Sequence, residues 1–156
     1  FSQWAQGALP VRRRMINSVA GAIGPGIPSA IAARTVERTA PVIAIVGDGT
    51  FGFHMAEFDT AVRHGLPFVA IVGNDARWNA EYQIQLRDYG KDRTIGCELL
   101  PTRYDQVVAA LGGHGEMIDD ASKLPAAIER AIGSGKPACL NVMTESIAAP
   151  VITRDR

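Results

Sequence analysis

Two short stretches hold the residues whose types and spacing suggest chemistry. One is GDGTFG (Gly47–Gly52), at the end of the apolar run PVIAIVG (Pro41–Gly47). The other is Asn74–Asp75, at the end of a second apolar run, PFVAIVGN (Pro67–Asn74). A carboxylate at the end of a buried strand is costly unless something neutralises it. If the two runs are neighbouring strands, Asp48, Asn74 and Asp75 gather at one sheet edge, beyond the carboxyl ends where open parallel sheets bind ligands. Two carboxylates, an amide oxygen and nearby backbone carbonyls form an all-oxygen set, suited to Mg²⁺ or Ca²⁺ rather than a soft metal. The glycines have a second use. They let an anion approach the backbone, and the turn's N–H groups, with the N-terminus of a helix expected near Phe53, favour phosphate. The Thr50 hydroxyl adds a donor. Taken alone, GDG reads more readily as ordinary turn chemistry. It is the second motif that favours a site, in which a bound cation keeps Asp48 charged.

These residues need a scaffold. Pro41–Gly47, Pro67–Asn74 and PACLNVMT (Pro137–Thr144) are continuous apolar runs, the pattern of strands covered on both faces of a parallel sheet. Gly115–Asp119 is a weaker fourth strand, and RRMINS (Arg13–Ser18) a short fifth. Helices are expected at Pro28–Arg38, Phe53–Gly65, Arg103–Gly113 and Asp120–Gly135. Within them Met55, Phe58 and Val62 share one face, and Leu124, Ile128 and Ile132 another. Strand and helix alternate, so the fold class is α/β, with a mainly parallel sheet and helices on both faces. Asp75–Pro101 is the least regular stretch. It reads equally as a functional loop or as a surface helix plus a loop.

The 156 residues suit one domain, and 16 basic residues balance 16 acidic ones. This charge balance gives no general attraction to nucleic acid, and no apolar stretch reaches membrane-spanning length. Arg12–Arg14 is the one compact basic run and reads as a solvated face. Cys97 and Cys139 make neither a disulfide framework nor a zinc pattern, so a cytoplasmic setting is the default. His54 and His64 read as helix-surface or core histidines rather than ligands, and His114 as part of a turn. The first residue, Phe1, suggests that the sequence is a piece of something longer.

GDGTFGFHMAEF, followed by LPFVAIVGND, resembles the thiamin-diphosphate motif, and the interval from Asp48 to Asp75 resembles its acetolactate synthase-like branch. GAIGPGIPSAIAA (Gly21–Ala33) and GKPACLNV are similar to that branch's segment before GDG and its closing strand. The resemblance implies a single diphosphate-binding domain over 1–156, truncated on its N-terminal side, with the pyrimidine-binding and central domains absent. It implies thiamin diphosphate and Mg²⁺ as cofactors. Asp48, Asp75 and the Arg77 backbone carbonyl would bind the metal. Gly47, Gly49 and Thr50 would line the diphosphate, and Asn74 would organise the turn. Ile23 would lie under the cofactor, and the backbone of Gly21 and Ile23 would meet its aminopyrimidine edge. The bottom-up alternative for Ile23 is ordinary core.

The implied chemistry is decarboxylation or carboligation of a 2-keto acid. The activating glutamate is expected from the pyrimidine-binding domain of the same or a neighbouring chain, so no catalytic residue is assigned, and this fragment alone is expected to be inactive. Glu57 and Glu81 are not recruited for that role. A homodimer or homotetramer is the implied assembly. Two alternatives remain: a carbon–carbon lyase of the oxalyl-CoA decarboxylase or 2-hydroxyacyl-CoA lyase type, and a non-catalytic cofactor-binding or assembly module. The resemblance departs downstream of the pair. Ile84 stands where acetohydroxyacid synthases carry a tryptophan, and Trp78 offers an aromatic wall from another angle.

Overall fold

The computed structural model describes residues 22–148. Arg12–Arg14, the expected strand Arg13–Ser18 and Gly21 lie outside the described residues. Four strands, β1 (Ile43–Gly47), β2 (Val69–Asn74), β3 (His114–Ile118) and β4 (Ala138–Met143), form one sheet in the order β1-β2-β4-β3. Every pairing is parallel. The three continuous apolar runs became β1, β2 and β4. β2 and β4 are central and almost wholly buried, which is why their sequences do not alternate.

The helices are α1 (Gly26–Val36), α2 (Asp48–His54), α3 (Phe58–Arg63), α4 (Asn79–Tyr89), α5 (Tyr104–Ala110) and α6 (Leu124–Gly133). α1, α2, α3 and α5 cover one face of the sheet. Its core joins Ile27, Val46, Phe51, Phe58, Phe68, Val72, Tyr104 and Val108. Three aromatic contacts knit this layer: Phe51 with Phe58 at 5.7 Å, Phe51 with Tyr104 at 5.2 Å and Phe58 with Phe68 at 5.0 Å between ring centroids. α6 covers the other face. There Ala127 and Ala131 are buried against Val69, Ile71, Ile118 and Leu140.

Several expectations are corrected. The helix expected at Phe53–Gly65 starts earlier, at Asp48, and is interrupted by a 3₁₀ turn at Met55–Glu57. GDG is therefore the first turn of a helix rather than a loop before one. The end at Gly65 holds: its φ of +59° is left-handed, as a glycine helix stop requires. On α6 the residues that reach full burial are the alanines, because a helix lying close to a sheet leaves little room. Leu124 and Ile128 flank them, and Ile132 is exposed. His114 opens strand β3 instead of lying in a turn. Of the two readings of Asp75–Pro101, the surface helix plus a loop is the one found: α4 has no buried residue.

Candidate functional site

The parallel register pairs Gly47 with Gly73. The next residue of each strand, Asp48 and Asn74, therefore emerges at the same carboxyl edge. Asp48 is the first residue of α2 and only 2% exposed. Its Oδ1 accepts from the Gly49 N–H at 2.9 Å, and its Oδ2 from the Arg77 N–H at 3.2 Å. No described basic side chain pairs with it. Burial pushes its pKa above the ordinary aspartate value, and the nearby Asp75 charge adds to that rise, while backbone N–H bonds, that of Gly49 foremost, oppose it. Asp75 therefore lies near enough for its charge to act on Asp48.

Asp75 opens a constrained turn. Ala76 has φ +53°, and its N–H is held by the Asn74 side-chain oxygen at 3.2 Å. Arg77 then pairs in an isolated antiparallel bridge with Glu98. Among the described residues no backbone hydrogen bond ends on the Arg77 carbonyl. The Arg77 side chain turns elsewhere, over the Tyr82 ring at 4.2 Å and towards Ser146 and Glu98.

The glycines differ in their surroundings. Space beside Gly47 is open, whereas a Cβ on Gly49 would come within 2.6 Å of the Trp78 ring. Trp78 lies across the first turn of α2 and meets Phe53 edge-on at 5.8 Å. The Gly49 N–H is already engaged by Asp48, so the sequence reading of a free N–H cradle does not extend to it. Thr50 is half-buried in the same turn. Ile23 is 51% exposed, so it is not ordinary core. Its loop is tied to α2 by the His54 Nδ1 and Gly24 carbonyl contact of 2.9 Å.

Other residues weighed from the sequence lie apart. Glu57 accepts from the Thr60 hydroxyl. Glu81 and His64 are exposed, and Ile84 is exposed on α4. His114 contacts Glu116 on β3. Cys97 and Cys139 are free and buried. The sequence reading missed Asn141, which is fully buried and hydrogen-bonded to Asn74. Its signal was a lone amide inside the apolar run ACLNVM.

The donors present fit a hard cation. A buried carboxylate with no described basic partner, a second acid near it and a carbonyl free of described hydrogen bonds are all oxygen ligands. Among the described residues no group of three or more His, Cys, Asp or Glu side chains forms a self-sufficient metal site. A cation here would have to draw on backbone and ligand oxygens as well. Nor is any described helix long and apolar enough to cross a membrane.

Residues 1–142 match the family "Thiamine pyrophosphate enzyme, C-terminal TPP binding domain". The chain is 43% identical over 132 residues to the acetolactate synthase large subunit IlvG of Mycobacterium tuberculosis, covering 83% of this chain and 24% of that protein. It is 40% identical over 102 residues to 2-hydroxyacyl-CoA lyase 2 of Caenorhabditis elegans, covering 65% and 16%. The fold is similar to that of a thiamine diphosphate-dependent 4-hydroxybenzoylformate decarboxylase from Rhodococcus jostii, with a TM-score of 0.74 at 22% identity, covering 81% of this chain and 24% of that one. The chain spans about a quarter or less of the length of these relatives.

Proposed function

The chain belongs to the thiamine pyrophosphate enzyme family, as its C-terminal TPP-binding domain, and from that premise we propose that it holds the Mg²⁺–diphosphate end of thiamin diphosphate at the carboxyl edge of β1 and β2. The observation that carries this reading is Asp48: a buried carboxylate with no basic partner among the described residues, within reach of the charge of a second acid, Asp75. A divalent cation would supply the missing charge. Asp48, Asp75 and the Arg77 carbonyl would be its protein ligands, and diphosphate oxygens would complete the set. Gly47 and Thr50 would line the diphosphate. Gly49 would contribute by its lack of a side chain, which lets Trp78 close over the turn. Ile23, half-exposed beside α2, would support the organic part of the cofactor, with Gly21.

When bound, the cofactor supplies an electron sink for breaking or making a bond beside a carbonyl. The chain's own residues would fix the diphosphate, neutralise its charge and limit water. The reaction we infer for the whole protein is decarboxylation or carboligation of a 2-keto acid. The activating glutamate would come from a pyrimidine-binding domain of the same or a neighbouring chain, in a homodimer or homotetramer in the cytoplasm. A second reading, cleavage of a 2-hydroxyacyl-CoA, draws support from the lyase relatives and from Ile84 at the tryptophan position.

Titration calorimetry with thiamin diphosphate, with and without Mg²⁺, tests the binding claim. Uptake that requires the metal supports it, and uptake indifferent to the metal contradicts it. Pyruvate and a 2-hydroxyacyl-CoA, supplied in turn to the protein with its pyrimidine-binding partner domain, separate the two reactions.

A further inference from the structure

Behind the motif residue Asn74 lies a polar cluster, Asn141, Asp105 and Arg103, that neither the motif nor the family match assigns. β2 and β4 pair so that Val72 faces Asn141 and Asn74 faces Met143. Asn74 and Asn141 therefore lie on the same face of the sheet, and both are fully buried. The Asn74 amide nitrogen donates to the Asn141 side-chain oxygen and to the Thr102 carbonyl, each at 3.0 Å. The Asn141 amide nitrogen donates to the same carbonyl at 3.0 Å and to Asp105 Oδ1 at 3.3 Å. Asp105 is 4% exposed, and Arg103 clamps both its oxygens, at 2.9 and 2.6 Å. Burial alone would raise the Asp105 pKa, but the bonds from Arg103 and Asn141 outweigh it, and the net shift is downward.

The cluster has a direction. With its nitrogen occupied by Asn141 and Thr102, the Asn74 amide cannot flip, so its oxygen is fixed towards the Ala76 N–H. Ala76 is the single non-glycine residue at positive φ among the described residues. An L-residue occupies that region at a cost, and persists there only when its surroundings over-determine it. The turn it makes is the one that presents Asp75, and it brings the Arg77 N–H onto Asp48. An apolar residue at 141 would leave the Asn74 amide nitrogen held by the Thr102 carbonyl alone, and so less firmly fixed.

We propose that Asn141 is a positioning residue for the proposed metal site, which locks the Asn74 amide and thereby holds Ala76 in the left-handed conformation that aims Asp75 and Arg77 at Asp48. The role for metal rests on the reading above; the role in the turn does not. Arg103 and Asp105 anchor Asn141 from the surface side.

The test uses Asn141→Leu and, in case that variant folds poorly, the milder Asn141→Thr, which suits a strand but is too short to reach Asn74. Amide hydrogen exchange reports the turn, and calorimetry with Mg²⁺ and thiamin diphosphate reports the site. The variants should speed exchange at Ala76 and Arg77 about tenfold relative to the β2 amides and weaken metal-dependent uptake by about 10–100-fold, the range typical for groups that orient metal ligands. Adding Ala76→Gly, which adopts positive φ freely, should recover part of that loss. Unchanged exchange at Ala76 and Arg77 overturns the proposal. So does a rise equal to that throughout the sheet, or a double variant no better than the single one. If the native protein takes up no Mg²⁺–thiamin diphosphate while the two amides still loosen, the metal reading fails and the positioning role stands.

Discussion

Asp48 and Glu116 are two carboxylates at opposite edges of one sheet, and they are served in opposite ways. Glu116, on edge strand β3, has Arg130 clamped on it at 2.6 Å and His114 at 2.8 Å. Its pKa falls below the ordinary value, chiefly through Arg130; partial burial opposes the shift and His114 adds to it. Asp48, beyond edge strand β1, is more deeply buried and is met by backbone N–H groups, among them those of Gly49 and Arg77, rather than by a described basic side chain. Its pKa rises, first through burial. One acid has its counter-charge within the fold. The other has none among the described residues and feels the charge of a second acid, an arrangement that a hard cation would complete. Asp105 shows that the fold can supply a guanidinium to a buried acid when the acid's role is structural.

Substitution should separate the two acids most sharply. Asp48→Asn should weaken metal-dependent uptake of thiamin diphosphate on the order of 100-fold or more, since a direct ligand is worth at least as much as its supports. The stability of the metal-free protein should change little, because removal of the buried charge is offset by one backbone N–H, of Gly49 or Arg77, left facing an amide NH2. Glu116→Gln should show the reverse, with uptake unchanged and a melting temperature lower by about 2 °C, as for a partly exposed ion pair. Calorimetry and thermal melts on both variants check this crossing. Equal effects of the two changes on uptake would erase the distinction.

A smaller effect is expected from Gly49→Ala. The new methyl meets the Trp78 ring, which must shift. Overpacking of this kind costs about 1–3 kcal/mol. A change in tryptophan emission and weaker uptake should accompany the loss. Emission and uptake both unchanged would show that Trp78 does not close over the turn.

The smallest effect is in acid. The folded pKa of Glu116 lies below its ordinary value of 4.5, so its stabilisation is fully present above that value and is lost as pH falls through the folded pKa. Urea midpoints measured from pH 6 to pH 3 should therefore fall less steeply in Glu116→Gln than in the native protein. Parallel curves would contradict this.

Much of this was legible in the sequence because central parallel strands are buried on both faces and read as unbroken apolar runs. Pro67–Asn74 gave β2 and, at its end, Asn74 and Asp75. The start of α2 was harder to read. GDGTFG looks like a helix breaker, yet Asp48 opens the helix, a position that suits an acid. The exposure of Ile132 was not legible, because helical spacing shows which residues share a face but not how close the helix lies to the sheet. Asn141 gave the plainest unused signal. A polar residue inside a buried strand must find partners, and its partners lie at Asn74, Thr102 and Asp105, too distant in sequence for periodicity to connect.

The central claim is that the cation binds between Asp48 and Asp75 and nowhere near Glu116. Replacing Mg²⁺ by paramagnetic Mn²⁺ in the presence of thiamin diphosphate, and reading backbone amide signals by NMR, tests it most directly. The account predicts broadening of Gly49, Thr50, Ala76 and Arg77, with Gly115–Met117 unaffected, and loss of the effect in Asp48→Asn. Broadening centred on β3, or an unaltered pattern in Asp48→Asn, would contradict it.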